Sequence, residues 1–427
     1  MTATQSPPQQ EQPPQLAGRR YLALVLLGVV VGLPAAFVAA LFLGLVHEAQ
    51  QALWPDDPAW YLVVGLPVVG AAIVAGARAF LPGDGGHRPL LGLGSPETPL
   101  AHVPGIAIAA FATLAFGAVL GPEAPIIALG GAVGIALTSV VRLAEQPRKI
   151  VATAGMFSAI SALFGGPLVA GVLMVESGVA LGARLAPAML PGFVAAAVGY
   201  LLFVGFGDWG GLNAPGLSVP DLPAYTGVHF GDLGVALAVG VFTTILIFSL
   251  KWAAARLEDV GGRRLGMVVL LLAGGLAVGV LAIIENGLGG SSTEILFSGQ
   301  SAIPDLVKEG STAILLSILV VKTIAYAISL GCGFRGGPIF PAVFLGVGVA
   351  MFPVIWFGTS PTLAVAVGAA AGMAGQTKLI LTAMVFAALL SPASAVDATP
   401  AVVFAAAAAW LTATTLERRR DAATPAA

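Results

Sequence analysis

The sequence predicts an all-helical protein that crosses a bilayer many times and is built from two related halves. Three observations carry this prediction. Of 427 residues 58% are hydrophobic and only 9% charged, and the mean hydropathy is +0.96, a composition that belongs in lipid rather than water. Apolar stretches near the roughly 20 residues that a spanning helix needs recur from end to end. A Gly/Pro-interrupted segment also occurs twice, half a chain apart.

Taken in order, residues 1–18, MTATQSPPQQEQPPQLAG, are Pro/Gln-rich without an apolar run, and read as a disordered tail rather than a cleaved signal. Apolar stretches follow at 21–46, 60–81, 103–120, 125–141, 150–175 and 186–206, forming a first membrane repeat over 19–206. A connection at 207–229 carries Asp208 and Asp221 and no Lys or Arg, which suits an extracellular loop. The second membrane repeat, 230–416, holds stretches at 231–250, 265–284, 312–330, 338–357, 361–375, 379–390 and 400–416. Several stretches are short or cut by the 56 glycines and 30 prolines, and such breaks survive in lipid only where protein or a watery cavity satisfies the freed backbone.

Basic residues gather before the first span (Arg19, Arg20), in a loop with Arg142, Arg148 and Lys149, in a second with Arg256, Arg263 and Arg264, and after the last span (Arg418 to Arg420). Both termini are therefore expected in the cytoplasm, with 417–427 a short tail that has no room for a soluble regulatory domain. A net charge of −2 gives no argument for nucleic acid, and the single Cys332 excludes internal disulfides and thiolate metal clusters. The four histidines have no metal-ligand spacing, so no metal is expected. No Walker pattern points to nucleotide, and no serine-hydrolase elbow to a protease, so the protein is not expected to be an enzyme.

Residues 121–134, GPEAPIIALGGAVG, align without gaps on 337–350, GPIFPAVFLGVGVA, with six of fourteen positions identical and a separation of 216 residues. Corresponding broken segments in two halves are the pattern of a transporter made of repeats, often inverted across the bilayer, whose site lies where they meet. A plainer reading is that GPxxP begins two ordinary buried helices, since proline is accepted in a first turn. In both copies, however, the break falls inside an apolar region. Each helix start leaves amides unpaired and carries roughly half a positive charge. Two such starts converging on one point would hold an anion by backbone N–H groups.

Glu123 occupies the third position of the first break. A carboxylate there can imitate the anion, closing a path when ionised and seated, and opening it when protonated or displaced. The alternative is a helix-capping acid with no transport role, but a carboxylate at membrane depth is costly and functional by default.

These residues resemble the CLC chloride channel/transporter family. Its Gly-Lys/Arg-Glu-Gly-Pro segment, followed by an apolar run to Gly-Gly, is matched by GPEAPIIALGG at 121–131, with Glu123 on the gating glutamate, Pro122 in place of the basic residue and Ala124 in place of glycine. GGPIFP at 336–341 resembles the family's Gly-Gly-x-Phe-x-Pro. The resemblance implies a CLC-type fold of two inverted-topology repeats with many broken and tilted helices, and a homodimer with one pathway per subunit. It also implies an anion site at Gly121, Ala124, Gly337, Ile339 and Phe340. The anion-contacting serine segment is represented only by GLGSP at 92–96, where Ser95 comes two residues late and Leu93 holds its place. In LFGGPLVAGVLMVES at 163–177, alignment on Pro167 puts Glu176 on the first internal acid and Ser177 where proton-coupled members have the second. Alignment on Ala170 and Gly171 shifts this by one. The family's last-helix tyrosine has no counterpart in 400–416.

Lys322, in VVKTIAYAI, falls where the family often has a basic residue, and reads either as a pathway charge or as a lysine that snorkels to the interface. Arg335 could concentrate anions at a vestibule mouth. Glu285 reads as a helix-end residue, and Lys378 as interfacial. The expected function is transmembrane movement of a monovalent anion, chloride or another halide, gated by Glu123 and needing no other cofactor. A proton-coupled chloride or fluoride antiporter and a non-transporting, degenerate membrane protein are the alternatives.

Overall fold

The computed structural model describes residues 18–93, 98–178, 185–212 and 217–423. Its regular structure is helical, and among the described residues nine helices are long and apolar enough to cross a membrane. The first half contains α1 (Arg19–Leu53), α2 (Trp60–Phe80), α3 (Val103–Ala115), α4 (Glu123–Val141), α5 (Glu145–Phe164), α6 (Pro167–Gly178) and α7 (Leu185–Val204). The second contains α8 (Phe230–Leu265), α9 (Met267–Leu288), the short α10 (Ser292–Ile295) and α11 (Ile303–Lys308), then α12 (Thr312–Gly331), α13 (Ile339–Phe357), α14 (Pro361–Thr377), α15 (Ile380–Leu390) and α16 (Ala395–Ala423).

The two halves repeat one packing scheme. In the first, α5 is flanked by α1, α4, α6 and α7, and α1 lies on α7; in the second, α14 is flanked by α8, α13, α15 and α16, and α8 lies on α16. Equivalent helices also meet across the halves, α2 on α9 and α6 on α15. Where the two breaks touch, Gly121 and Gly337 form an antiparallel bridge, as inversion requires.

Small residues set the helix spacing, as they do where lipid removes the usual hydrophobic drive between helices. Gly130 of α4 faces the backbone of Gly155 in α5, and its counterpart Gly346 of α13 faces that of Gly368 in α14. The small residues of 186–206 turn inward too: Gly199 packs on Gly32, Ala36 and Ser158, so this stretch joins α7 to α1 and α5.

Several boundaries differ from the sequence reading. The stretch 150–175 is two helices, because Gly165 takes a left-handed conformation (φ 73°) that ends α5 and Pro167 opens α6. The expected loop carrying Arg256, Arg263 and Arg264 is instead helical, the continuation of α8. The helix runs on through Gly261 and Gly262, with Arg263 paired to Asp259 one turn earlier at 2.7 Å and Arg256 5.3 Å from the Trp252 ring.

Candidate functional site

The site begins with two interruptions. After α3 the chain turns through Ala118, Val119 and Leu120, where the Leu120 N–H donates to Ala118 O at 3.0 Å, to Gly121, and Pro122 precedes the first residue of α4; after α12 it passes Gly336 and Gly337, and Pro338 precedes α13. The Gly121 N–H donates to Gly337 O at 2.7 Å, and the Gly337 N–H to Gly121 O at 2.5 Å. The pairing satisfies the backbone that leaving the helix exposed, and it points both helix starts at one small volume.

Glu123 fills that volume. It is fully buried, and its Oε1 accepts a hydrogen bond from the Phe340 N–H at 2.8 Å. Its Oε2 has no hydrogen-bonding partner and lies against Gly337, where a Cβ would collide with it. Glycine at 121 and 337 is thus a condition of the carboxylate's seat. Gly121, Ala124, Gly337, Ile339 and Phe340 are all buried around the same junction. Phe340 also belongs to an aromatic trio with Phe164 from the end of α5 and Phe386 of α15, with ring centroids 5.6–5.9 Å apart.

α12 holds the breaks in place. The Tyr326 hydroxyl donates to Pro338 O at 2.8 Å and lies in electrostatic range of Glu123. Ser329 Oγ accepts from the Val119 N–H at 3.0 Å, tying the first break to the second half. Sequence reading missed Tyr326, Phe164 and Phe386. Only a largely apolar context marked them, and that context marks every core residue alike.

The other expected residues lie apart from this carboxylate's hydrogen bonds. Arg335 is almost wholly buried, with Nε donating to Asp84 O at 2.9 Å and Nη2 to Asp84 Oδ2 at 2.5 Å, while its N–H donates to Thr113 Oγ1 at 3.2 Å. Arg78 joins the same carboxylate at 2.8 Å and reaches Gly333 O at 3.0 Å. Burial alone would push the Asp84 carboxyl up, but the hydrogen bond from Arg78 and the charges of Arg335 and Arg78 together hold it below its ordinary range. Asp84 was not expected as a partner, since 251 residues separate it from Arg335.

Glu176 ends α6 by capping α15. Its Oε1 accepts from Ile380 N at 2.6 Å and Leu381 N at 3.0 Å, and its Oε2 from Thr382 N at 2.8 Å and Thr382 Oγ1 at 2.7 Å. Ser177 Oγ is turned back onto Leu173 O at 2.6 Å. Lys322 neither snorkels nor lines an opening: it is fully buried, with its Nζ on four backbone carbonyls. Ser95 lies outside the described residues, and Leu93 packs on the core. Among the described residues no group of three His, Cys, Asp or Glu side chains could hold a metal ion.

Fold and junction define a multi-pass helical membrane protein made of two inverted halves whose broken helices meet inside it. The sequence matches the family described as "Voltage gated chloride channel" over residues 88–413, and the chain belongs to that family. Relatives named "Putative ion-transport protein YfeO" from Salmonella choleraesuis (strain SC-B67) and Escherichia coli O139:H28 (strain E24377A / ETEC) are each 29% identical, over 78% of this chain and 80% and 79% of their own lengths. Among solved structures, a slow cyanobacterial Cl−/H+ antiporter superposes with a TM-score of 0.73 at 17% identity, covering 96% of this chain and 100% of that one. A CLC-type fluoride/proton antiporter gives 0.71 at 20% identity, covering 92% and 96%.

Proposed function

We propose that the chain moves a monovalent anion, chloride in the first instance, across the membrane past the Gly121–Gly337 junction, and that Glu123 gates this path. The observation carrying the reading is the Phe340 N–H on the Glu123 carboxylate at 2.8 Å. A donor at a helix start, buried among apolar groups, serves any small anion as well as it serves a carboxylate. Seated, Glu123 fills the site; swung away or protonated, it yields the donor to the permeant ion. Family membership and the superposed antiporters support anion transport of some kind.

Between uncoupled anion movement and proton exchange we favour the first. Proton exchange needs a carrier beyond Glu123. Glu176 is already committed to four hydrogen bonds at the start of α15, and Ser177 is no acid. Purified protein in vesicles, followed with anion and pH electrodes, separates the readings. Anion efflux without proton movement is expected, and Glu123→Ala should give faster flux that no longer responds to pH. Proton uptake driven by an anion gradient would establish the antiporter instead, and an inert or unchanged Glu123→Ala would remove the gate. Running the assay with fluoride as well as chloride decides selectivity, and a protein that moves neither is the non-transporting relative.

A further inference from the structure

Lys322 is buried in the middle of α12, yet its nitrogen is crowded only by acceptors: Glu294 O at 2.8 Å, Ile295 O at 3.0 Å, Leu296 O at 2.9 Å and Phe297 O at 3.1 Å. The Phe344 ring lies 4.9 Å away. A neutral amine would turn its lone pair towards a carbonyl oxygen here, so the arrangement calls for an ammonium, three hydrogens shared among four carbonyls beside a ring face. Four successive carbonyls converging on one point repel one another unless a cation sits between them. Rings of carbonyls replace the water shell of an alkali ion in the same manner. The turn is also strained, since Phe297 has φ 60°, a left-handed conformation that bulky side chains avoid. The Glu294 carboxylate lies within electrostatic range but is bonded to the Ser291 N–H at 2.8 Å, and Glu285, Asp305 and Glu309 surround Glu294 in turn.

This turn touches the approach to the first break and the helix that follows the second. The Phe297 N–H donates to Gly117 O at 3.2 Å, and the Phe297 ring meets Trp54 edge-on at 5.2 Å, while Trp54 Nε1 donates to Ala115 O at 2.9 Å. On the other side, Phe344 lies one turn beyond Phe340 on α13 and packs on Gly299.

We propose that the carbonyls of residues 294–297 form a monovalent-cation site filled from within the chain by the Lys322 ammonium, and that this tethered cation is a positioning residue for the anion site. The positioning half rests on the function proposed above; the cation half does not. Lys322→Ala leaves the four carbonyls around a space that a small cation can enter. In detergent at constant chloride, its thermal midpoint should rise saturably with ammonium or methylammonium, not with tetramethylammonium, and the wild type should not respond. In vesicles Lys322→Ala should carry at least tenfold less anion than wild type and recover part of it with the same ions. Lys322→Arg, whose planar guanidinium does not fit a point-like cradle, should not substitute. Should Lys322→Ala not survive extraction, Lys322→Val, which also vacates the cradle and brings no donor, serves both measurements. A variant whose midpoint ignores small cations overturns the cation site, and one with wild-type flux overturns the positioning role. A wild type that moves no anion would sink the transport reading while leaving the thermal test intact.

Discussion

At Glu123, Gly337 and Glu176 single substitutions can separate the proposed gate from architecture. Gly337→Ala should act through Glu123: the added methyl collides with the seated carboxylate, whose flexible end is the part able to give way. Its anion flux should therefore resemble that of Glu123→Ala, with the pH response lost. Glu176→Gln should behave oppositely. An amide cannot accept on both ends, so at least one donor of α15 loses its partner, which costs about 1.5–3 kcal/mol where the acceptor is charged. The thermal midpoint should fall while the ratio of protons to anions moved stays that of wild type. Asp84 supplies a pH effect. Its folded carboxyl titrates below the unfolded value, so its contribution is complete above about pH 4 and disappears as the pH falls through the folded value. Because the side chain is 56% exposed, solvent screening keeps that contribution to about 1 kcal/mol or less. Asp84→Asn should flatten the acid limb of a midpoint-against-pH curve. The sequence singled out Glu123 because few charges interrupt an apolar chain, and each one is visible. It left Glu176 between two roles, since the amides that decide the matter arrive from more than 200 residues downstream.

At the scale of elements, glycine has two kinds of address. Gly346 faces the backbone of Gly368 and Gly372, and any side chain there must push α13 off α14. Gly44 in α1 faces open space. Gly346→Val should therefore abolish recovery of folded protein from the membrane, whereas Gly44→Ala should match wild type or gain about 0.5–1 kcal/mol, read as a midpoint in detergent. Composition alone marks these glycines as equivalent. The repeat does better, since Gly346 is the counterpart of Gly130 and a residue kept in both copies is held by the packing they share. The division of α5 from α6 was not legible: hydropathy continues through Gly165, and only its positive φ ends the helix. The length of α8 was hidden for the reverse reason, because charges that suggest a loop also form the i,i+4 pairs that prolong a helix.

For the whole molecule, the repeat maps Glu123 onto Ile339, the first residue of α13. Symmetry of framework with asymmetry of side chain sets one carboxylate opposite a buried isoleucine. Ile339→Glu should place a second acid against the first, and two buried carboxylates in contact do not both ionise. Anion flux at neutral pH should fall at least tenfold and return on acidification, measured in the vesicle assay. Helices, pairing of halves and the location of the junction were readable because repeated glycines and prolines survive as identities in sequence. The contacts that brace the junction were not, since they join residues that no local pattern relates.

The reciprocal bond between Gly121 and Gly337 carries a mechanical consequence. Two backbone bonds tie the halves together at their junction, so under the function proposed above the ion would pass a fixed point of the frame. On the proposed gating, the moving part is one side chain of a few atoms turning about its own single bonds rather than a whole domain.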